Sequence, residues 1–400
     1  MVIILTGLLG FLMAFAIGAN DVANSMATAV GAKAITAKQA ALIAMFMEFV
    51  GAIMFGSHVS QTIIKGIIQP QKLSPQELMY GSLAALLAST VWILLATGWG
   101  YPISTTHSIV GGMLGFGLVE LGFQGVNWRS LSMIVLSWII SPLLGGLLAF
   151  VIFKTMTFSV FHTKDPKKSS KVFVPIFIGL AVFTMITLFL WRTVKLDVSL
   201  ALLWGTISAV ASALFSLSVM KNYMRRNHDE YETVENFFKK AQVLTSCYVA
   251  LSHGANDVAN AAGPFAAVLI IASTGSIPKT VQIPRLALFL GGLGISLGVL
   301  AGKRVIEMVG ERITTLTNTR GFTVDFSTAT TVLLASALGM PISTTHVVVG
   351  AVAGVGFARG LEMVNVGILK NIVISWFLVV PTVAASSAGV YYVLKLVLKF

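Results

Sequence analysis

Charge is scarce in this chain: only 10% of its 400 residues are charged. A soluble domain carries about 25%, so too few charged side chains exist to cover a water-facing surface. Cysteine is nearly absent. Cys247 alone excludes an intrachain disulfide framework, and its place in the run LTSCYVALS reads as a small buried hydrophobe. The start, MVIILTGLLGFLMAFAIGAND, lacks a basic n-region and a small-residue cleavage site, so it reads as a first membrane helix rather than a removed signal. H-E-x-x-H does not occur, which removes one short hydrolase signature.

What is present is apolar. Hydrophobic residues make up 56% of the chain and mean hydropathy is +0.88. Runs of membrane-spanning length occupy 80–98, 131–153, 172–191 and 199–220. The fold class expected is an all-α integral membrane protein with about twelve transmembrane segments. A net charge of +12 invites a nucleic-acid reading, but the lysines argue against it. Lys154, Lys164, Lys167, Lys168 and Lys171 cluster in one hydrophilic stretch, which is the signature of a cytoplasmic loop beside a lipid bilayer. No nucleic-acid partner is expected.

The chain repeats itself. GANDVAN at 18–24 returns at 254–260, PISTTH at 102–107 returns at 341–346, and Ser137-Trp138 with Pro142 is echoed by Ser375-Trp376 with Pro381. Offsets of 236 to 239 in the same order indicate an internal duplication, 1–155 and 242–400, around an insert at 156–241. Helices are expected near 2–19, 40–56, 79–98, 105–123 and 131–153 in the first half and 172–191 and 199–220 in the insert. The second half repeats them near 243–261, 263–273 with 284–301, 328–340, 345–358 and 369–396. An odd number of crossings per half, with two more between, gives inverted-topology repeats, the plan of many secondary transporters, with broken or re-entrant helices at the centre. Cytoplasmic lysines at 154–171 then place 221–242 on the same side and both termini outside. Against this, 302–326 is also rich in charge.

Two motifs carry chemistry. Asp21 and Asp257 sit in apolar helical sequence, where an ionised carboxylate costs about 2.5–3.5 kcal/mol on insertion scales and so needs a cation, a proton or a polar partner. Asn20, Asn24, Asn256 and Asn260 add amide oxygens, and Gly18 and Gly254 are expected to let the backbone unwind and offer carbonyls. Oxygen-only ligands suit a hard cation, with sodium or a proton as the candidates; a plain helix cap would not need the second asparagine. In PISTTH, proline followed by hydroxyls marks a helix start. Such an N-terminus inside a membrane is a ready anion site, with Ser104, Thr105, Thr106, Ser343, Thr344 and Thr345 as its hydroxyls. Neither motif contains Lys or Arg, so an anion here would depend on bound cations, which is how an ion gradient could drive uptake. His107 and His346 read as polar supports, since no companion ligand pattern favours a metal. Glu48 has no evident copy in the second half; it is either a further cation ligand or coupling group, or a residue lining a wet vestibule.

At these motif pairs the sequence resembles the inorganic phosphate transporter family, PiT, over essentially its whole length. The short central loop is similar to prokaryotic members, which implies a cytoplasmic membrane. The resemblance implies secondary active symport of inorganic phosphate with sodium or protons, no cofactor, essential roles for Asp21 and Asp257 in phosphate and cation binding, and a homodimer. A branch of the family carries sulfate. Six Asn/Asp side chains exceed what a proton site needs, which favours sodium. Ser25-Met26 against Ala261-Ala262, and Pro264 in the second half alone, make the two cation sites unequal. An enzyme is not expected, because a paired site gives no reason for one nucleophile with one base. A passive anion channel is the closer rival, but it has no use for buried aspartates.

Overall fold

The computed structural model describes residues 2–100, 103–224, 230–277, 283–302, 306, 317–360 and 366–398. Pro102, Arg225, Arg226, the side chains of Lys221 and Ser375, and most of the charged stretch 302–326 lie outside the described residues or side chains. The described residues are almost entirely helical. The first half gives α1 (Val2–Gly31), α2 (Ala37–Phe55), α3 (Ser57–Lys65), α4 (Pro75–Trp99), α5 (Thr105–Leu121) and α6 (Trp128–Met156). The insert gives α7 (Pro166–Leu188) and α8 (Val198–Met224). The second half gives α9 (Glu230–Thr274), α10 (Arg285–Ala301), α11 (Asn318–Ala337), α12 (Thr344–Arg359) and α13 (Val366–Leu398).

Eight described helices are long and apolar enough to cross a membrane: α1, α2, α4, α6, α7, α8, α9 and α13. The protein is therefore a multi-pass membrane protein. Its exterior agrees, with Leu143, Leu147, Trp204, Leu214, Phe215 and Phe377 exposed as lipid-facing side chains must be. Local chemistry sets many helix starts. Thr36 with Gln39 and Ser74 with Glu77 form capping boxes for α2 and α4. Asp165 caps α7, whose first residue is Pro166.

Several boundaries differ from those the sequence pattern suggests. GANDVAN does not end a helix: α1 runs through it to Gly31, and α9 runs 45 residues through the second copy and Pro264. At 1.5 Å per residue that is a contour of about 67 Å, roughly twice the hydrocarbon thickness. Most of the supposed loop 221–242 is accordingly the start of α9. Breaks at the centre fall at Ser104 and Ser343 instead, where α5 and α12 begin.

The glycines explain the continuity. A Cβ on Gly18 would lie 2.0 Å from the Ile295 carbonyl oxygen, and one on Gly254 would lie 2.0 Å from the Glu48 carbonyl oxygen. Both glycines let a neighbouring helix touch backbone on backbone; neither unwinds its own. The second contact family repeats the theme. Gly111 and Gly115 of α5 abut the carbonyls of Val380 and Ala384 on α13, while Gly350 and Gly354 of α12 abut those of Pro142 and Gly146 on α6. Helices of one half thus pack in matched pairs on helices of the other: α1 on α10 and α9 on α2, α5 on α13 and α12 on α6. Cys247, expected to be buried, is half-buried.

Candidate functional site

The matched packing brings both motif pairs to one buried centre. Because α5 and α12 start there, their first-turn N–H groups have no intrahelical partner. Ser104 and Ser343 serve as N-caps, their Oγ atoms accepting from the amides of His107 at 3.2 Å and His346 at 3.3 Å. The four threonines after them are buried, and Thr105, Thr106 and Thr344 reach the aspartates. Thr105 donates to Asp21 Oδ2 at 2.8 Å, and Thr344 donates to Asp257 Oδ2 at 3.2 Å.

The asparagines then cross between halves. Asn24 Nδ2 donates to Asp21 at 3.1 Å and to Thr345 Oγ1 at 2.9 Å. Asn260 Nδ2 donates to Asp257 at 3.0 Å and lies 3.3 Å from Thr106 Oγ1. Asn20 and Asn256 fasten the segments before each cap: Asn20 Oδ1 accepts from the Ile103 amide at 3.1 Å, and Asn256 Nδ2 donates to the Ile342 carbonyl at 2.8 Å. Of the expected ligand residues, Asp21, Asp257, Asn24, Asn260 and the four threonines meet directly. Ser104, Ser343, Asn20 and Asn256 shape the frame around them.

Glu48 belongs to this centre. It is fully buried, its Oε1 accepts from Ser25 Oγ at 3.1 Å, and its Oε2 has no hydrogen-bond partner. Asn260 Oδ1 is likewise buried and unpartnered. Buried oxygens that receive no donor are the groups a hard cation needs. The matched glycine contacts also identify the counterpart of Glu48: Gly254 touches its carbonyl, and Gly18 touches that of Ile295. The acid stands on one side only.

His253, to which no sequence motif pointed, completes the asymmetry. Its ring is buried among three carboxylates, with Nδ1 3.1 Å from Glu48 Oε1 and Nε2 3.0 Å from Asp257 Oδ2 and 3.7 Å from Asp21 Oδ2. These are close approaches of the ring to the carboxylates; neither ring nitrogen makes a hydrogen bond of good geometry. Ile17 precedes the first motif where His253 precedes the second, and a histidine four residues before Asp257 on one helix face was the available signal. Ligand atoms of Asp21, His253 and Asp257 lie within 4.8 Å of one another; imidazole nitrogen is softer than a hard cation prefers, which makes His253 a partner to the carboxylates. Asp325 was also missed. It is buried and accepts from Thr28 and Ser246, each at 2.6 Å.

His107 and His346 lie behind the threonines in a stack of four rings. His107 packs on Trp138 at 3.7 Å, His346 on Trp376 at 3.4 Å, and the two imidazoles meet edge to face at 4.5 Å. Each ring donates from Nδ1 to the backbone carbonyl of the other tryptophan: His107 to Trp376 at 3.2 Å, His346 to Trp138 at 3.3 Å. A carbonyl only accepts, so both rings carry the Nδ1 proton. Pro142 has no N–H to give the carbonyl four residues back, which leaves Trp138 available to His346. In the second half Pro381 stands five residues after Trp376 and frees the Phe377 carbonyl instead, so it is the two tryptophans of the echo that receive the PISTTH histidines.

A many-helix membrane protein whose halves meet in a buried, oxygen-rich centre, with anion-seeking helix ends beside carboxylates, is built as a carrier for a small ion pair. Residues 17–387 match the phosphate transporter family, and the chain belongs to that family. It is 52% identical over 398 residues, covering 99% of this chain and 98% of the relative, to a Thermococcus kodakarensis protein named "Putative phosphate permease". It is 38% identical to inorganic phosphate transporter 2-1, chloroplastic, of Arabidopsis thaliana, over 96% of this chain and 71% of the plant protein. A solved structure described as the sodium-dependent phosphate transporter superimposes with a TM-score of 0.97 at 68% identity, covering 99% of each chain. The family is one of transporters, not enzymes.

Proposed function

We propose that the protein is a secondary active transporter that carries inorganic phosphate together with sodium across a cytoplasmic membrane by alternating access. One observation carries this reading: Asp21 and Asp257 are bound by threonines at the starts of α5 and α12, with no Lys or Arg side chain in contact with them among the described residues. An anion at those helix ends would face two carboxylates and is tolerated only with cations between them. Phosphate is assigned to the amides and hydroxyls of the Ser104–Thr106 and Ser343–Thr345 turns. Sodium is assigned to oxygens of Asp21, Asp257, Asn24, Asn260 and Glu48. The sodium dependence in the description of the 68% identical structure supports the choice of cation.

The halves 1–155 and 242–400 are read as inverted repeats around the insert 156–241, with 154–171 cytoplasmic and the termini outside; the repeated motifs and the matched helix pairs support this. Two copies are taken to form the working dimer. Proton coupling is the second reading, and His253 among three carboxylates is the observation that favours it. Labelled phosphate uptake into proteoliposomes at fixed pH, under an inward sodium or potassium gradient, tests the proposal. Accumulation driven by sodium and lost in Asp21→Asn and Asp257→Asn is the expected outcome. Uptake that ignores sodium but tracks a pH step moves the coupling to protons. Uphill accumulation excludes a channel, and accumulation of sulfate alone overturns the phosphate assignment.

A further inference from the structure

Among its described residues the insert supplies none to the buried centre, yet one of its side chains reaches the frame around it. Arg192 lies in the π-helical turn Phe189–Thr193 that ends α7. Its Nε–H donates to the carbonyl of Ala337, the last residue of α11, and its guanidinium lies over the Trp191 ring at 4.9 Å. The closing carbonyls of a helix lack intrahelical donors and carry the negative end of its dipole, so a cation is well placed there.

Beyond α11 the chain leads directly to the second hydroxyl cradle. Gly339 adopts φ +72°, turning the chain. Thr62 on α3 donates to its carbonyl at 2.6 Å. Trp138 Nε1–H on α6 donates to the Pro341 carbonyl at 3.3 Å. The Ile342 carbonyl receives Asn256 Nδ2 of α9 at 2.8 Å and Thr106 Oγ1 of α5 at 3.0 Å. Ser343 then caps α12. Side chains from the insert and four helices thus grip carbonyls along 337–342, and Arg192 is the one cation among them.

We propose that Arg192 is a positioning residue for the second half of the substrate site. By holding the end of α11 it fixes the 338–342 turn, whose Ile342 carbonyl aligns Asn256 beside Asp257 and Thr106 beside Asn260. This gives the insert a role in transport: it braces the cradle from outside the two halves. The inference rests on the reading of the Ser343–Thr345 turn as a phosphate cradle.

The test compares wild type, Arg192→Ala, Arg192→Lys, Thr62→Val and the Arg192→Ala/Thr62→Val double variant in two measurements. The first is initial-rate phosphate uptake under a sodium gradient, normalised to folded transporter. Loss of one charge-assisted hydrogen bond predicts a rise of about tenfold in the phosphate KM for Arg192→Ala, with maximal rate per folded molecule largely kept. Arg192→Lys, which still offers a charged donor, restores most of the affinity. Thr62→Val shifts KM the same way, and the double variant falls short of the product of the two because both act on one turn. The second measurement is hydrogen exchange of the Leu338, Gly339, Met340 and Ile342 amides, which needs no substrate and is expected to quicken in Arg192→Ala. If wild type takes up no phosphate, the reading of function fails, and the exchange still judges whether Arg192 holds the turn. Wild-type KM and unchanged exchange in Arg192→Ala overturn the proposal. So does a fall only in the amount of folded protein with KM unmoved; if Arg192→Ala does not fold, Thr62→Val and Arg192→Lys carry the same comparison.

Discussion

Alanine at Gly254 sets two explanations of the repeated motif against each other. If the glycine were there to unwind α9, a methyl group would favour helix by up to about 1 kcal/mol and stabilise the fold. The structure requires the reverse. The added Cβ would sit 2.0 Å from the Glu48 carbonyl oxygen and 2.7 Å from both its carbonyl carbon and Cα. All three atoms belong to backbone, so no side chain can turn aside, and α2 must retreat from α9 by about 1.4 Å or more to reach ordinary contact. Overpacking of this kind costs about 1–3 kcal/mol. The same retreat carries Glu48 away from His253, a contact of 3.1 Å, and misplacement by about 1 Å at a working site can cost a hundredfold in rate. Gly18→Ala makes an equal clash, but against Ile295, which holds an apolar side chain where the other contact has Glu48. The expectation is that both variants melt lower than wild type and that Gly254→Ala loses more transport per folded molecule. Gly389→Ala on α13, with nothing within 4 Å of the new methyl, serves as the neutral or slightly stabilising control. Melting of the detergent-purified protein and sodium-driven phosphate uptake are the assays. A Gly254→Ala protein that melts no lower and transports like wild type would refute the close-approach reasoning.

The hydroxyls and rings divide their labour in ways that two more pairs of variants can separate. Ser104→Ala removes an N-cap and costs about 1 kcal/mol in stability, whereas Thr105→Val removes the 2.8 Å bond to Asp21 and is expected to depress sodium-driven uptake far more than melting. Measured together, a pair of variants that fail in the same proportion in both assays would refute the distinction. His346→Phe keeps a ring against Trp376 but loses the bond to the Trp138 carbonyl; the orphaned acceptor costs about 1–3 kcal/mol. His346→Ala forfeits the ring as well and melts lower still. Equal melting of the two would show that the stack contributes nothing.

The solvent and the helix class were legible in the chain, and so were the paired motifs whose residues meet in the buried centre. Low charge and long apolar runs leave only a membrane as solvent, and a repeated motif names its residues without any knowledge of distance. The Asn-Asp-x-x-Asn spacing fixes Asp21 with Asn24, and Asp257 with Asn260, on one helical turn, a local geometry that sequence determines by itself.

Tertiary structure alone decided how these local pieces meet. Glycine is permissive, so the letter cannot say whether Gly18 and Gly254 bend a helix or admit a neighbour; the carbonyls at 2.0 Å settle it. Glu48 and His253 are 205 positions apart in the chain, and their contact exists only because α2 lies against α9. The exchange of Asn24 to Thr345 and Asn260 to Thr106, and the reach of Arg192 to α11, have the same origin. Spacing along a helix is set by covalent geometry and hydrogen bonding within the turn. The distance between helices is set by how every side chain on both faces packs, and no short stretch of sequence contains that sum.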